Sequence, residues 1–238
     1  MKSCVLALLM VVGLPAVPAA ETHVVDPGGS GDFPTIQTAI DASQDGDVVE
    51  LTDGVFAGEG NRDLDFLGKR ITLRSQGGDP EACIVDCQGS ADDPHRGVFF
   101  RSGEGIESVL AGVTIRNGFA QGEVPYDCGA GIFCKSGSSP TLERCIFADN
   151  TAPEGGGGGV YADSCSPRLT NCIFMGNLAE AGGGIDCANG SAILLDCQFH
   201  NNTATWGGAV ICCYDPGPSL EGCLFQGNSA NYGGAVYW

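Results

Sequence analysis

From Pro140 to Trp238 the chain says nearly the same thing four times, and no other feature constrains its fold as strongly. The segment Pro140-Thr-Leu-Glu-Arg-Cys-Ile-Phe-Ala-Asp-Asn150 returns as Pro167 to Asn177, Ala192 to Asn202 and Pro218 to Asn228. A glycine-rich answer follows each: Gly158-Gly-Val160, Gly183-Gly-Ile185, Gly208-Ala-Val210 and Gly234-Ala-Val236. Cys145, Cys172, Cys197 and Cys223 lie 27, 25 and 26 residues apart. A period this short marks a solenoid, in which each unit buries its apolar face only against its neighbours.

One unit reads Leu-x-x-Cys-x-Phe-x-x-Asn, a gap, then Gly-Gly-apolar-x-small. Cys145 and Phe147 are two apart and share one face of a strand. Leu142 lies three before Cys145, so a bend separates two short strands. Val160 and Ala162 make a third pair at spacing two. Three strands and three corners in 25 to 27 residues leave no room for a long helix, and they predict one coil of a parallel β-helix. Stacking the coils gives columns. Leu110, Leu142, Leu169, Leu194 and Leu220 form one; Val113, Cys145, Cys172, Cys197 and Cys223 form the next. Ile115, Phe147, Phe174, Phe199 and Phe225 follow, and Ile132, Val160, Ile185, Val210 and Val236 line the third wall. Asn150, Asn177, Asn202 and Asn228 form a polar column at a corner, where Asn tolerates left-handed backbone and its amide reaches the next Asn.

The pairing of Phe-x-x-Asn (Phe147 to Asn150, Phe174 to Asn177, Phe199 to Asn202, Phe225 to Asn228) with Gly-Gly-Ala-Val resembles the repeats of the polymorphic outer-membrane proteins. The resemblance covers about Val109 to Trp238 and implies a right-handed parallel β-helix displayed at a surface. The membrane barrel of that family lies outside the matched residues, so its secretion route and adhesin role are not carried over.

The start of the chain reads differently. Lys2, the apolar run Val5 to Leu14 and the small residues before Ala20 predict a secretory signal peptide over residues 1–20. The mature chain, 21–238, divides into a cap and first coil (21–60), irregular coils (61–139) and regular repeats (140–238). Pro34 to Ser43 predicts a short helix with Ile36, Ala39 and Ile40 on one stripe. Such a helix would cover the open edge of the first coil. Gly31-Asp-Phe-Pro-Thr-Ile-Gln-Thr-Ala-Ile-Asp41 is similar to the opening of pectinesterases and other pectin-lyase-like proteins, which supports the fold and says little about catalysis. The fold class is therefore all-β: a right-handed parallel β-helix solenoid of about eight coils with an N-terminal capping helix. Trp238 falls inside a strand, and further sequence beyond it is the expectation.

Thirteen cysteines in an exported chain point to disulfides. In-register column cysteines run parallel instead of converging, so Cys145, Cys172, Cys197 and Cys223 are expected reduced and buried. Cys83, Cys87, Cys128, Cys165 and Cys213 are the expected disulfide formers. No Cys-x-x-Cys spacing supports a metal site.

The net charge of −18 speaks against nucleic acid and anionic membranes as partners. No later stretch predicts a membrane span. Paired carboxylates on adjacent coils, which a glycoside hydrolase needs, are not found on the columns Arg144, Asn171, Asp196, Gly222 or Asp149, Gly176, Asn201, Gly227. The densest polar cluster is Asp92-Asp93-Pro-His95-Arg96, with Asp86 on the preceding strand. It suits acid–base work or cation binding, or it is a solvated loop whose Arg96 pairs with its own aspartates. Asp45-Gly-Asp47 and Asp63-Leu-Asp65 are conceivable weak Ca²⁺ ligands without a calcium-loop motif, and no cofactor is expected. A second candidate is a contact row, Phe133, Tyr161, Asp186, Ile211 and Tyr237, alternating with the buried wall. Exposed, it would meet a protein or stacked sugars. The expectation is a secreted or cell-surface scaffold that binds a glycan or a protein partner without catalysis. The alternative is a carbohydrate-active enzyme working around Asp86 to Arg101.

Overall fold

The computed structural model describes residues 19–213 and 217–238, so the predicted leader lies almost wholly outside them. The chain winds as a right-handed parallel β-helix with a single short helix among the described residues. Within each sheet, neighbouring strands are parallel and come from adjacent coils. The first sheet has eight strands, from Thr22–Val25 to Ser219–Glu221, and so counts eight coils. The second runs from Gly54–Ala57 to Leu224–Gln226 and the third from Leu64–Asp65 to Val236–Tyr237, with seven strands each. No helix among the described residues is long and apolar enough to cross a membrane.

The expected columns are in register. Leu110, Leu142, Leu169, Leu194 and Leu220 are successive partners, as are Ile132, Val160, Ile185, Val210 and Val236. Phe147, Phe174, Phe199 and Phe225 stack with ring centroids 4.8, 4.8 and 5.0 Å apart. Each such pair adds about 0.5–1.5 kcal/mol beyond its buried area. The rings stack because the strand repeat of about 4.8 Å falls within the centroid spacing of about 4.5–7 Å that offset-stacked rings prefer.

The asparagine column is a ladder. Asn150, Asn177 and Asn202 are fully buried. The Nδ2 of each donates to the Oδ1 of the next Asn at 2.9–3.0 Å. It also donates to the carbonyl of Ile115, Phe147 or Phe174. Each backbone N–H donates to that same next Oδ1. The left-handed backbone expected at these asparagines falls one residue earlier, on Asp149 (φ 54°), Gly176 (66°), Asn201 (53°) and Gly227 (67°). The preceding corner uses Arg144 (50°), Asn171 (53°), Asp196 (52°) and Gly222 (66°). Both columns screened for catalytic carboxylates are thus corner positions, rich in Asn, Asp and Gly because those types tolerate positive φ.

Each regular coil also carries a strand that the three-wall reading leaves out. Thr151–Gly156, Leu178–Ala181, Thr203–Trp206 and Ser229–Tyr232 pair as a fourth sheet. Its inward residues are small: Ala152 and Ala179 join Ala120 and Ala130 in a separate buried cluster. The sequence signal was the recurring Asn-x-Ala of Asn150 to Ala152, Asn177 to Ala179, Asn202 to Ala204 and Asn228 to Ala230.

The helix α1, Ile36–Ala42, is capped by Thr35, whose side chain accepts from the Thr38 N–H while the Thr38 hydroxyl answers the Thr35 N–H. Ile36, Ala39 and Ile40 are fully buried against the first coil.

The cysteines expected to form disulfides stand as thiols. No disulfide joins any of the twelve cysteines among the described residues, including Cys83, Cys87, Cys128, Cys165 and Cys213. Cys83 stands one residue before Ile84, whose register through Thr114 to Ile146 puts it in the same column as Cys145. Burial pushes its thiol up to about 12. Cys145, Cys172 and Cys197 are buried as expected, and Cys223 is half-buried.

Candidate functional site

The polar cluster forms where two irregular coils stack. Leu64–Asp65 pairs with Val98–Phe100, and the ladder extends backwards through Asp63 N–H to the Arg96 carbonyl and Leu64 N–H to the Gly97 carbonyl. This extension sets the Asp92–Arg96 loop directly on Arg62 and Asp63. His95 Nδ1 lies 2.5 Å from Asp63 Oδ2, and its Nε2 lies 3.1 Å from Asp93 Oδ1. The other Asp63 oxygen accepts from the Arg96 backbone N–H at 2.9 Å. Arg62 Nη2 is 3.6 Å from Asp93, Nη1 donates to the Cys87 carbonyl, and Nε has no partner. Glu59, Gly60, Arg62, Asp63 and His95 line an open depression of about 350 Å³.

The predicted residues do not all meet there. Asp93 and His95 do. Asp92 is exposed at the loop tip. Asp86 belongs to a different contact, accepting from Arg116 Nε at 3.0 Å and Asn117 Nδ2 at 2.9 Å. Arg96 pairs with no aspartate through its guanidinium. It is 7% exposed, donates to the Cys128 and Tyr126 carbonyls at 2.7 and 2.6 Å, and lies over the Phe99 and Phe133 rings. Arg96 is a strut holding the Tyr126–Cys128 backbone, because a planar guanidinium satisfies two carbonyls while its face rests on aromatic carbon. Arg62 and Asp63 come from the preceding coil. Asp63 was flagged only as a possible Ca²⁺ ligand, and the irregular coil length hid its register with His95.

The possible Ca²⁺ ligands have internal partners. Asp45 pairs with Arg70 at 2.8 Å. Asp47 accepts from the Glu21 and Gln44 N–H groups, whose hydrogen bonds hold its carboxyl below the usual carboxylate range. Asp65 meets Arg101 at 2.8 Å. Among the described residues no group of three His, Cys, Asp or Glu side chains is arranged to hold a metal ion.

The contact row is in the predicted register but is not an exposed row. Phe133, Asp186 and Ile211 are buried, at 2%, 7% and 3% exposure, and Tyr161 and Tyr237 are half-buried. The cause is the fourth sheet. Its strands end in glycine corners that turn back over the row. A Cβ on Gly156 would lie 1.9 Å from Asp186 Oδ2, and one on Gly182 2.8 Å from the Ile211 side chain. Tyr126 stacks on Phe133, and the Trp206 ring meets Tyr237 edge-on. Asp186 is left with one oxygen, Oδ1, without a partner. Burial first, then the charge of Asp163, pushes its carboxyl up to about 7.

Comparison with known proteins yields one family. A family profile described as right handed beta helix region matches residues 82–238. Among solved structures, pectin methylesterase from Aspergillus niger in its penultimately deglycosylated form is 12% identical, covering 90% of this chain and 87% of that one, with a TM-score of 0.38. The deglycosylated form of the same enzyme gives the same identity and coverage with a TM-score of 0.36. No curated protein matches the chain in sequence.

Proposed function

The chain belongs to the right-handed β-helix family, and from that premise we propose that it works outside the cell as a scaffold binding a glycan or a protein partner, with a neutral glycan fitting its polar depression best. One observation carries this reading. Glu59, Arg62, Asp63 and His95 bring donors and acceptors together at an open depression of about 350 Å³, with Asp93 held against His95. Sugar hydroxyls both donate and accept, so a mixed set of this kind suits them. The excess of negative charge, −18 over the chain, disfavours a polyuronate there. His95 and Asp63 already engage one another, which fixes the floor of the depression in advance of a ligand.

A second reading has its own observation. An imidazole bracketed by Asp63 and Asp93 is a set of groups able to move protons. Carbohydrate-active chemistry at the same depression is therefore the alternative. The deciding experiment presents the purified protein with neutral glycans, polygalacturonate and methylated pectin, reading binding and product together. The expected result is neutral-glycan binding without turnover, weakened at least tenfold in Arg62→Ala and Asp63→Asn. Turnover lost in His95→Ala would replace the scaffold with the enzyme. Failure of every glycan to bind would leave the protein partner as the occupant.

A further inference from the structure

Most of the buried thiols occupy columns. Cys145, Cys172 and Cys197 touch one another in sequence along the helix axis. In-register neighbours keep their Cβ atoms about 4.8 Å apart, wider than the roughly 3.5–4.5 Å a disulfide requires. Each of these thiols donates instead to a carbonyl of an earlier coil, Leu110, Leu142 or Leu169, at 3.4, 3.5 and 3.8 Å.

Cys134 and Cys165 are placed differently. Cys134 belongs to a column that reads Phe100, Cys134, Ala162, Cys187, Cys212, so its in-register neighbour on the next coil contributes only a methyl group. The chain then turns at Ser164 (φ 57°), and Cys165 enters the core from the corner, 2% exposed. That corner is aligned with the coil before it by Ser166 N–H donating to Ser139 Oγ at 3.1 Å. Cys165 is therefore level with Ser138, whose carbonyl accepts from the Cys134 thiol at 3.2 Å. The two thiols reach the same spot from different strand positions, and their side chains are in contact. They converge where the column thiols run parallel.

We propose that Cys134 and Cys165 are a disulfide pair, closed by exchange with a disulfide-bearing donor while the coil forms. One protein thiolate attacks the donor disulfide and expels one donor thiol, leaving a mixed disulfide. The second protein thiolate attacks the protein sulfur of that bond and expels the other donor thiol. Two protein thiols lose two electrons, and the donor disulfide gains them together with the two protons. Closure belongs to folding because Cys134 is fully buried in the finished coil, and contact with Cys165 together with burial holds its thiol protonated there. The inference is independent of the glycan reading and stands or falls separately.

The test folds the full chain in a glutathione redox buffer, alkylates it under denaturing conditions and maps the peptides without reduction. The expected result is one cross-linked peptide joining Cys134 to Cys165 and one pair of alkylated thiols fewer than in the reduced chain. The double variant C134A/C165A loses that difference. Alanine already occupies the same column at Ala162, so the variant is expected to fold; if it does not, the wild-type map decides alone. Alkylation of both Cys134 and Cys165 in the equilibrated protein, or a bond from either to another cysteine, overturns the proposal.

Discussion

Replacing Asp186 by Asn should make the protein more stable and remove part of its pH dependence. Asp186 is 7% exposed and its Oδ1 has no partner. Its ladder neighbours are Tyr161 and Ile211, neither of them a cation. Burial raises its carboxyl from an ordinary 3.8 to about 7. The folded state then keeps a proton that the unfolded state releases. Stability from this group is fully present below about pH 4 and is lost as pH rises through about 7. Three units at roughly 1.4 kcal/mol each make the whole loss about 4 kcal/mol at most. Asn keeps the shape and has no charge to bury. The stability gap between D186N and the parent should therefore widen by roughly 2 kcal/mol from pH 5 to pH 7 and stay level above pH 8. Urea unfolding at matched pH measures it. Repeat arrays do not always unfold as one unit, so the difference between the two chains is the quantity to compare. Asp163, Asp127, Tyr161, Cys128 and Cys213 face the same region and are common to both. Burial lifts the Tyr161 phenol and the Cys128 thiol, the latter to about 12, which takes both out of this pH window. A gap that does not change between pH 5 and pH 8 would refute the reasoning.

Two further outcomes follow from buried hydrogen bonds. Asn177→Ala removes a side chain that donates to the Phe147 carbonyl and Asn202 Oδ1 and accepts twice from Asn150. It should cost about 2–4 kcal/mol, since buried partners are left unpaired, and urea unfolding with a loss below about 0.5 kcal/mol, the scatter of neutral surface changes, would contradict it. Arg96→Met keeps the apolar contact with Phe99 and Phe133 but strands the Tyr126 and Cys128 carbonyls. Faster amide hydrogen exchange around residues 122–128 is expected, with a stability loss of about 1–3 kcal/mol; unchanged exchange there would show that Arg96 is no strut.

The columns were legible because a parallel coil repeats its side-chain environment at each turn, so Leu, Phe and Asn recur wherever the register holds. The fourth sheet was not read because its inward residues are alanines, too small to stand out as an apolar stripe. That omission explains the misplaced contact row: alternation along Val160–Asp163 tells which side faces the main core, and cannot tell that another sheet closes over the opposite side. The His95 site was half legible. Asp93 and His95 are neighbours in sequence, whereas Asp63 is 32 residues earlier, across coils of irregular length with no repeat to give the register. Arg96 was misassigned for a related reason, since its carbonyl partners lie 30 and 32 residues later.

The asparagine ladder also makes length an adjustable quantity. Every rung offers the preceding coil the same Oδ1, and every preceding coil answers with the same two N–H groups. A whole repeat inserted or removed between Asn150 and Asn228 would present unchanged faces to its neighbours. The molecule would grow or shrink by about 4.8 Å along its axis with its cross-section preserved. The distance from the His95 depression to the far coil is thus counted in repeats.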